Sequence, residues 1–159
     1  MSYYVNQIVG LATDIYGNIG QPSSLSVGFI SGWLLDSGNL GDLNNKLCTS
    51  FYVTGDANIT DNGGNFGGEE AAIYSMMYQS NYYASASLSA LANGGSFWTS
   101  INEGDTRITR LDVAKISQSF MLMKKDNDAQ LRLAIADYKR RVTVPQSVDY
   151  AGLYSYPSP

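Results

Sequence analysis

The chain has 159 residues, enough for one domain, with 44% hydrophobic and only 15% charged residues and a formal net charge of −4. It contains no histidine and one cysteine, which excludes Ser-His-Asp and Cys-His catalysis, histidine-based zinc sites and an intrachain disulfide. The twelve tyrosines and the few charges indicate an uncharged, hydrogen-bonding surface of the kind found at interfaces, although a β-rich or secreted protein has a similar composition.

Three helices are predicted at the start of the chain from apolar residues at three- and four-residue steps. They cover Tyr3–Tyr16, a second segment that ends at about Leu35, and Leu40–Leu47. Ser23 or Ser24 is the expected cap of the second helix. The Ser-Gly-Asn sequence at 37–39 is expected to break the chain before the third.

The single cysteine, Cys48, follows an apolar-periodic segment that contains Leu43 and Leu47. One thiol has no partner for a disulfide within the chain and does not make a structural zinc site. We therefore expect a buried, unreactive side chain that behaves as a small hydrophobic residue.

A short strand is predicted at Phe51–Val53, followed by a loop over 54–68 that is rich in Gly, Asn and Asp. From Asp56 onwards, polar residues alternate as in a calcium-binding EF-hand loop. However, Asp61 and Gly67 stand where that motif requires glycine and glutamate. The GxxxxGK[ST] phosphate loop is also absent. The sequence therefore predicts no metal and no cofactor.

Glu69 and Glu70 open a fourth predicted helix, which extends to about Ala92, because acidic residues complement the positive helix N-terminus. This helix has no charged residue after Glu70, so nearly all of its surface must be covered. Neighbouring subunits are a natural source of that cover. The interface candidates on this helix are Tyr74, Tyr78 and Tyr82.

A β-hairpin is predicted at about 97–110, from β-prone residues on either side of the turn at 102–105. Two strands alone are marginal in water, so the hairpin is expected to lie on the helices or to pair with a neighbour's strand. It contributes the interface candidates Trp98, Arg107 and Arg110.

The final helix is predicted over Asp112–Arg141, with a kink expected at 126–128, where Asn127 interrupts the apolar stripe. That stripe consists of Val113, Ile116, Phe120, Met123, Leu131, Ala134 and Tyr138. Three further interface candidates occupy the last turn, where cations complement the helix dipole: Lys139, Arg140 and Arg141.

The segment 143–159 is predicted as an extended arm, because Pro145 prevents the helix from continuing. Its interface candidates are Tyr150, Tyr154 and Tyr156. In isolation, such a segment buries too little surface to offset the conformational entropy lost when it becomes ordered. Its tyrosines could offset that loss if they were docked on a partner.

Charge is sorted along the chain, since nine of the ten basic residues lie between Arg107 and Arg141. Residues 1–68 and 69–105 each carry a net charge of −4, and residues 106–141 carry +5. One copy's basic face could therefore meet the next copy's acidic face. Neutralisation within one subunit explains the same pattern, because acids are interleaved with the bases.

Other functional classes are less well supported by the sequence. The adjacent carboxylates of Glu69 and Glu70 point about 100° apart on a helix, so they do not face one substrate as a glycosidase pair does. SxxK is absent, and we expect no enzyme. A net acidic chain is unusual for a sequence-specific nucleic-acid reader. No apolar run approaches ~20 residues and no secretory signal is visible, so we expect no membrane association.

The order of these elements resembles the neck proteins of tailed bacteriophages, the head–tail connector or adaptor group. The most similar segments are 103–115, with the sequence EGDTRITRLDVAK, and Tyr138-Lys139-Arg140 near the end of the final helix. The resemblance implies a mainly α fold: a small helical bundle with one β-hairpin over 1–142 and an extended C-terminal arm over 143–159.

The resemblance also implies a structural virion protein, made in the host cytoplasm and located at the neck. It would form a homo-oligomeric ring beneath the portal protein and contact tail or other neck proteins, with its arm docked on the portal. Contact with DNA in the channel would be non-specific, and the acidic region 1–105 is the better channel lining. The alternatives are a tail-side subunit, for tail completion or the baseplate, and a small nucleic-acid-binding protein.

Overall fold

A computed structural model describes residues 7–55, 58–60, 66–93, 100–103, 106–109 and 113–143. The described helices are α1 (Gln7–Asn18), α2 (Val27–Leu35), α3 (Ser37–Leu47), α4 (Gly68–Asn93) and α5 (Val113–Thr143). The described strands are β1 (Tyr52–Val53), β2 (Ile59–Thr60), β3 (Ser100–Glu103) and β4 (Thr106–Thr109). The mainly helical fold with a β-hairpin is confirmed, and the predicted arm beyond Thr143 lies outside the described residues.

The first helix extends beyond its predicted end at Tyr16. Residues 1–6 are outside the described part, and α1 continues past Gly17 to Asn18. The chain then turns at Gly20 and Gln21, whose φ angles of 84° and 51° are both positive. The turn is closed by a hydrogen bond from the Gln21 amide to the Tyr16 carbonyl.

The caps of α2 and α3 differ from those predicted. Ser26, and not Ser23 or Ser24, caps α2: its hydroxyl accepts a hydrogen bond from the Phe29 amide at 3.2 Å. The Asp36 carboxylate accepts from the amides of Gly38 and Asn39, which places 37–39 in the first turn of α3. The expected chain break there was wrong, because a capping carboxylate supplies partners for the orphan amides of a helix start.

Cys48 is exposed, contrary to the prediction of a buried thiol. It caps the C-terminus of α3 in the left-handed conformation, with φ 58° and ψ 45°, and its amide donates to the Asn44 carbonyl. The apolar periodicity therefore ends one residue earlier, at the buried Leu47. The reversal of the chain at Cys48 turns its side chain away from the core side of α3.

A second antiparallel pair, β1 with β2, was not predicted. Tyr52 pairs with Thr60 and Val53 with Ile59. The segment 54–68 therefore contains a strand, and the Thr54 amide donates to the Asn58 carbonyl at 2.8 Å within the turn. The predicted hairpin is present, with Ser100 opposite Thr109 and Glu103 opposite Thr106. The predicted turn at 102–105 was too long, because Asn102 and Glu103 are paired residues of β3.

The core lies where α1, α2 and α3 pack against one end of the α4–α5 pair. Its most deeply buried side chains from the first three helices include Ile8, Ile15, Ile30, Leu34 and Leu43. The long helices contribute Ile73, Tyr74 and Tyr78 from α4 and Leu131 and Tyr138 from α5. We call the described residues 7–55 the acidic base, since they carry three acids and one lysine.

The two long helices run antiparallel and form an arm. Side chains near the start of α4 meet those near the end of α5, as Glu69 meets Arg141, and Ser87 meets Ser117 further along. Residues 126–128, the predicted site of a kink, belong to α5 without a break in the helix assignment, and the Asn127 side chain bonds there to α4.

Candidate assembly interface

Two of the tyrosines predicted at an interface belong to the core. Tyr74 is fully buried and Tyr78 is 3% exposed, and both rings contact Trp33, with centroid separations of 5.5 and 5.2 Å. The Tyr74 hydroxyl donates to the Leu34 carbonyl at 2.8 Å. Burial, and to a smaller extent the charge of Asp36, raises the Tyr74 pKa well above its usual range. The prediction was wrong because α2 supplies cover that we assigned to neighbouring subunits.

Tyr82 lies at the edge of the covered part of α4. Its half-buried ring packs against the core cluster and lies 5.6 Å from the ring of Tyr83. Burial and the neighbouring Tyr83 raise the Tyr82 pKa. One turn and more beyond it, Leu88 and Leu91 are 68% and 56% exposed. The cover that the first three helices give to α4 therefore ends near Tyr82, whereas α5 still covers Ser87 further along.

A polar seam joins α4 to α5. Near its outer end the hydroxyls of Ser87 and Ser117 are 2.9 Å apart, and both residues are buried. In its middle the Asn127 side-chain amide donates to the Met76 carbonyl at 2.8 Å. These bonds satisfy buried polar groups and fix the register of the two helices, because a shift along the axis would break them together.

Asp128 continues this seam on the side that faces the acidic base. Its carboxylate accepts hydrogen bonds from Ser80 on α4 and from Lys124 on α5. Burial alone would raise the pKa of Asp128, but the hydrogen bonds from Lys124 and Ser80, together with nearby positive charge, hold it below its ordinary value.

The outer face of α5 is a second apolar stripe, formed by Leu122, Ala129, Leu133 and Ala136. These four residues are separated by steps of seven, four and three, so they share one side of the helix. Leu133 lies about 200° around the helix from the buried Leu131, at 3.6 residues per turn. All four are exposed, with Leu122 at 62% and Leu133 at 68%.

Gln118, Lys125 and Arg132 border the outer face, and the exposed Asp126 lies within it, about one turn after Leu122. An open groove of about 800 Å³ lies beside its first half. Among the residues that line the groove are Gln118, Leu122, Lys125, Ala129 and Arg132. The combination of large apolar side chains with basic side chains suits a partner surface that is apolar and acidic.

The apolar stripe predicted for α5 requires one correction. Leu131 and Tyr138 are buried as predicted, but Met123 is 51% exposed. The reason is that Met123 lies towards the uncovered end of the arm, where the adjacent Met121 and Leu122 are also more than half exposed.

The basic end of α5 is partly neutralised within the chain. Arg141 pairs with Glu69 at the start of α4, and Arg140 lies 2.9 Å from Asp137. The hydrogen bond to Glu69 raises the pKa of Arg141. Lys139 also lies in this exposed last turn and has a partner of its own. At this end of α5, basic residues are therefore paired with acidic residues of the same chain.

The remaining interface candidates fall at the limits of the described chain. Arg107 lies on β4, opposite Asn102 on β3. Trp98 and Arg110 flank the hairpin and lie outside the described residues, as do the three tyrosines of the arm, Tyr150, Tyr154 and Tyr156.

Within the described ranges, no group of three or more His, Cys, Asp or Glu side chains is arranged to hold a metal ion. No helix of the described part is both long and apolar enough to cross a bilayer. The described surface offers an apolar stripe on α5 that contains one acid, Asp126, and is bordered by Lys125 and Arg132.

Fold and surface together define a small helical bundle with a two-helix arm that exposes an apolar face. No protein-family model, curated protein or solved structure matches this chain. The chain's own residues therefore carry the functional argument.

Proposed function

We propose that the protein is a structural subunit of a bacteriophage neck, a head–tail connector that assembles into a ring beneath the portal. The observation that carries the proposal is the outer face of α5, where two leucines are more than 60% exposed on a helix of 31 residues. Large exposed apolar patches on soluble proteins mark interaction sites. A chain whose surface carries few charges fits permanent contact with neighbours better than a free monomer.

The shape of the arm supports the same role. Because α4 and α5 are joined by a bonded polar seam, the arm is a stiff element anchored in the base at one end. The uncovered residues Leu88, Leu91 and Met121 lie towards its other end. An arm of this kind presents an apolar surface that faces away from the core of its own subunit. A subunit that packs on copies of itself requires such a surface.

The order of elements supports the connector among the structural classes. N-terminal helices, a long neutral helix, a hairpin and a long final helix follow one another here as in the neck proteins that the sequence resembles. In this proposal the segment 144–159 docks on the portal, and other neck or tail proteins bind the opposite side of the ring. The acidic region lines the channel, where repulsion keeps DNA sliding and contact with it non-specific.

A tail-side subunit, for tail completion or the baseplate, is the competing structural role. The mainly helical fold favours the connector, because connectors of this kind are mostly helical. Both roles place the protein in the virion without catalysis.

The proposal is tested by mixing the full-length chain with the portal protein of the same phage and imaging the complex by negative stain. We expect rings of this protein stacked on the portal. A variant that ends at Thr143 should lose portal docking while its helicity by circular dichroism is unchanged.

A matched pair of full-length variants separates the tyrosines from the length of the segment. Replacing Tyr150, Tyr154 and Tyr156 together by Ser should weaken docking as the truncation does, whereas Asp149→Asn should leave it unchanged. Docking that survives the truncation would exclude the anchoring role, and free monomers beside bare portals would contradict the connector proposal.

A further inference from the structure

We infer that the outer face of α5 in one copy docks on the acidic base of a second copy. The inference rests on the proposed function, because it names the two surfaces that meet when the subunits of the ring associate. It concerns a different contact from the one made with the portal.

The first support is the apolar complementarity of the two surfaces. The outer face extends over 15 residues from Leu122 to Ala136, about 21 Å of helix at 1.5 Å per residue. The acidic base also exposes large apolar side chains, with Phe29 on α2 at 65% and Val9 on α1 at 43%. Burial of such side chains on both partners supplies the main driving force of association.

The second support is charge. Lys125 and Arg132 border the outer face. On the acidic base, Asp14, Asp36 and Asp42 are all exposed and only Lys46 offsets them, so the described residues 7–55 carry a net charge of −2. Opposite charges at the two rims steer encounter and fix orientation.

Charge also argues against the symmetric alternative, in which the outer faces of two copies pack on each other. Two α5 helices would then meet that each carry a net charge of +4, from seven bases and three acids over 113–143, and like net charges across an interface are destabilising. The favoured contact joins two different surfaces. Such a head-to-side contact generates a closed ring when its rotation closes, and an open filament when it does not.

The test is a charge exchange in the full-length chain, followed by sedimentation velocity over a range of concentrations. Lys125→Glu with Arg132→Glu should weaken association roughly tenfold or more. Asp14→Lys with Asp42→Lys should weaken it similarly. The four changes together should restore association to within about threefold of the wild type, because opposite charges again face each other.

An apolar pair of variants controls for folding. Leu122→Ser with Leu133→Ser should also weaken association at least tenfold, with an unchanged circular dichroism spectrum and melting temperature. Met123→Ser is the matched control, since Met123 is similarly exposed but lies about 100° around α5 from Leu122, outside the outer face, and it should leave association unchanged.

The symmetric alternative has its own readout. In a Cys48→Ser background, Ala129→Cys should not form a disulfide-linked dimer under mild oxidation if the outer face meets the acidic base. Efficient dimer formation, or a fourfold charge exchange that restores nothing, would overturn the inference. Rings that assemble on the portal whatever the charges on α5 would overturn it while leaving the connector proposal intact.

Discussion

Tyr74 shows how one hydroxyl ties α4 to the acidic base. Its ring is fully buried against Trp33, and its hydroxyl donates to the Leu34 carbonyl near the end of α2. A buried carbonyl that loses this donor has no water to replace it, so the bond contributes more than an exposed one would.

We predict that Tyr74→Phe lowers the free energy of unfolding by about 1 kcal/mol, measured by urea denaturation. Tyr52→Phe is the control: Tyr52 is 48% exposed on β1, and its loss should change stability by less than about 0.5 kcal/mol. Equal effects of the two changes would show that the Tyr74 hydroxyl does not hold α4 to α2.

Asp128 makes the stability of the polar seam dependent on pH. Its pKa is lower in the folded chain than in the unfolded one, where it is near 3.9. The stabilisation by the ionised carboxylate is therefore complete above pH ~4 and is lost as pH falls through the folded pKa.

Comparison with Asp128→Asn tests this dependence. The wild type should exceed the variant in free energy of unfolding near neutral pH, and the difference should shrink as the pH is lowered below about 4. Urea denaturation at a series of pH values gives the difference. A gap that stays constant down to the acid limit would rule out the carboxylate's charge as its source.

At the scale of elements, the register of α4 against α5 depends on a few polar contacts. Ser87 and Ser117 share a hydrogen bond in a buried position, so removing one hydroxyl removes the side-chain partner of the other. The Ser117 hydroxyl also donates to the Ser87 carbonyl at 3.3 Å. Removing both hydroxyls leaves two small apolar side chains of similar volume.

A double-mutant cycle should detect this coupling. Ser87→Ala and Ser117→Ala are each expected to destabilise by about 1 kcal/mol, and the double variant by clearly less than the sum. Thermal and urea unfolding supply the four stabilities of the cycle. Strict additivity would mean that the two hydroxyls do not interact in solution.

The ends of helices and strands were predictable where residues with a strong local preference lie at those ends. Glu69 and Glu70 placed the start of α4 within one residue, and β3 and β4 follow the β-prone residues on either side of the turn. The start of α3 was missed because Asp36 caps a Ser-Gly-Asn sequence that on composition alone favours a break. The role of Asn127 was not predictable because its side chain bonds to a carbonyl on α4, a tertiary contact that periodicity does not show.

At the scale of the whole molecule, the acidic base covers one end of the α4–α5 arm and leaves the other end uncovered. The sequence indicated that nearly the whole surface of α4 must be covered. It did not show which part of that surface is covered by other helices of the same chain. Tyr74 and Tyr78 were misplaced for that reason. The outer face of α5 was present in the sequence as the spacing of Leu122, Ala129, Leu133 and Ala136, and was missed because we followed only the stripe that includes Leu131.

The central claim is that the chain associates with copies of itself through an apolar face. The most direct measurement is the mass of the full-length protein in solution, by sedimentation equilibrium at rising concentration and low salt. A fixed multiple of the 17.3 kDa chain mass, with dissociation promoted by added salt, is the predicted result. A particle of 17.3 kDa at every concentration would contradict the account.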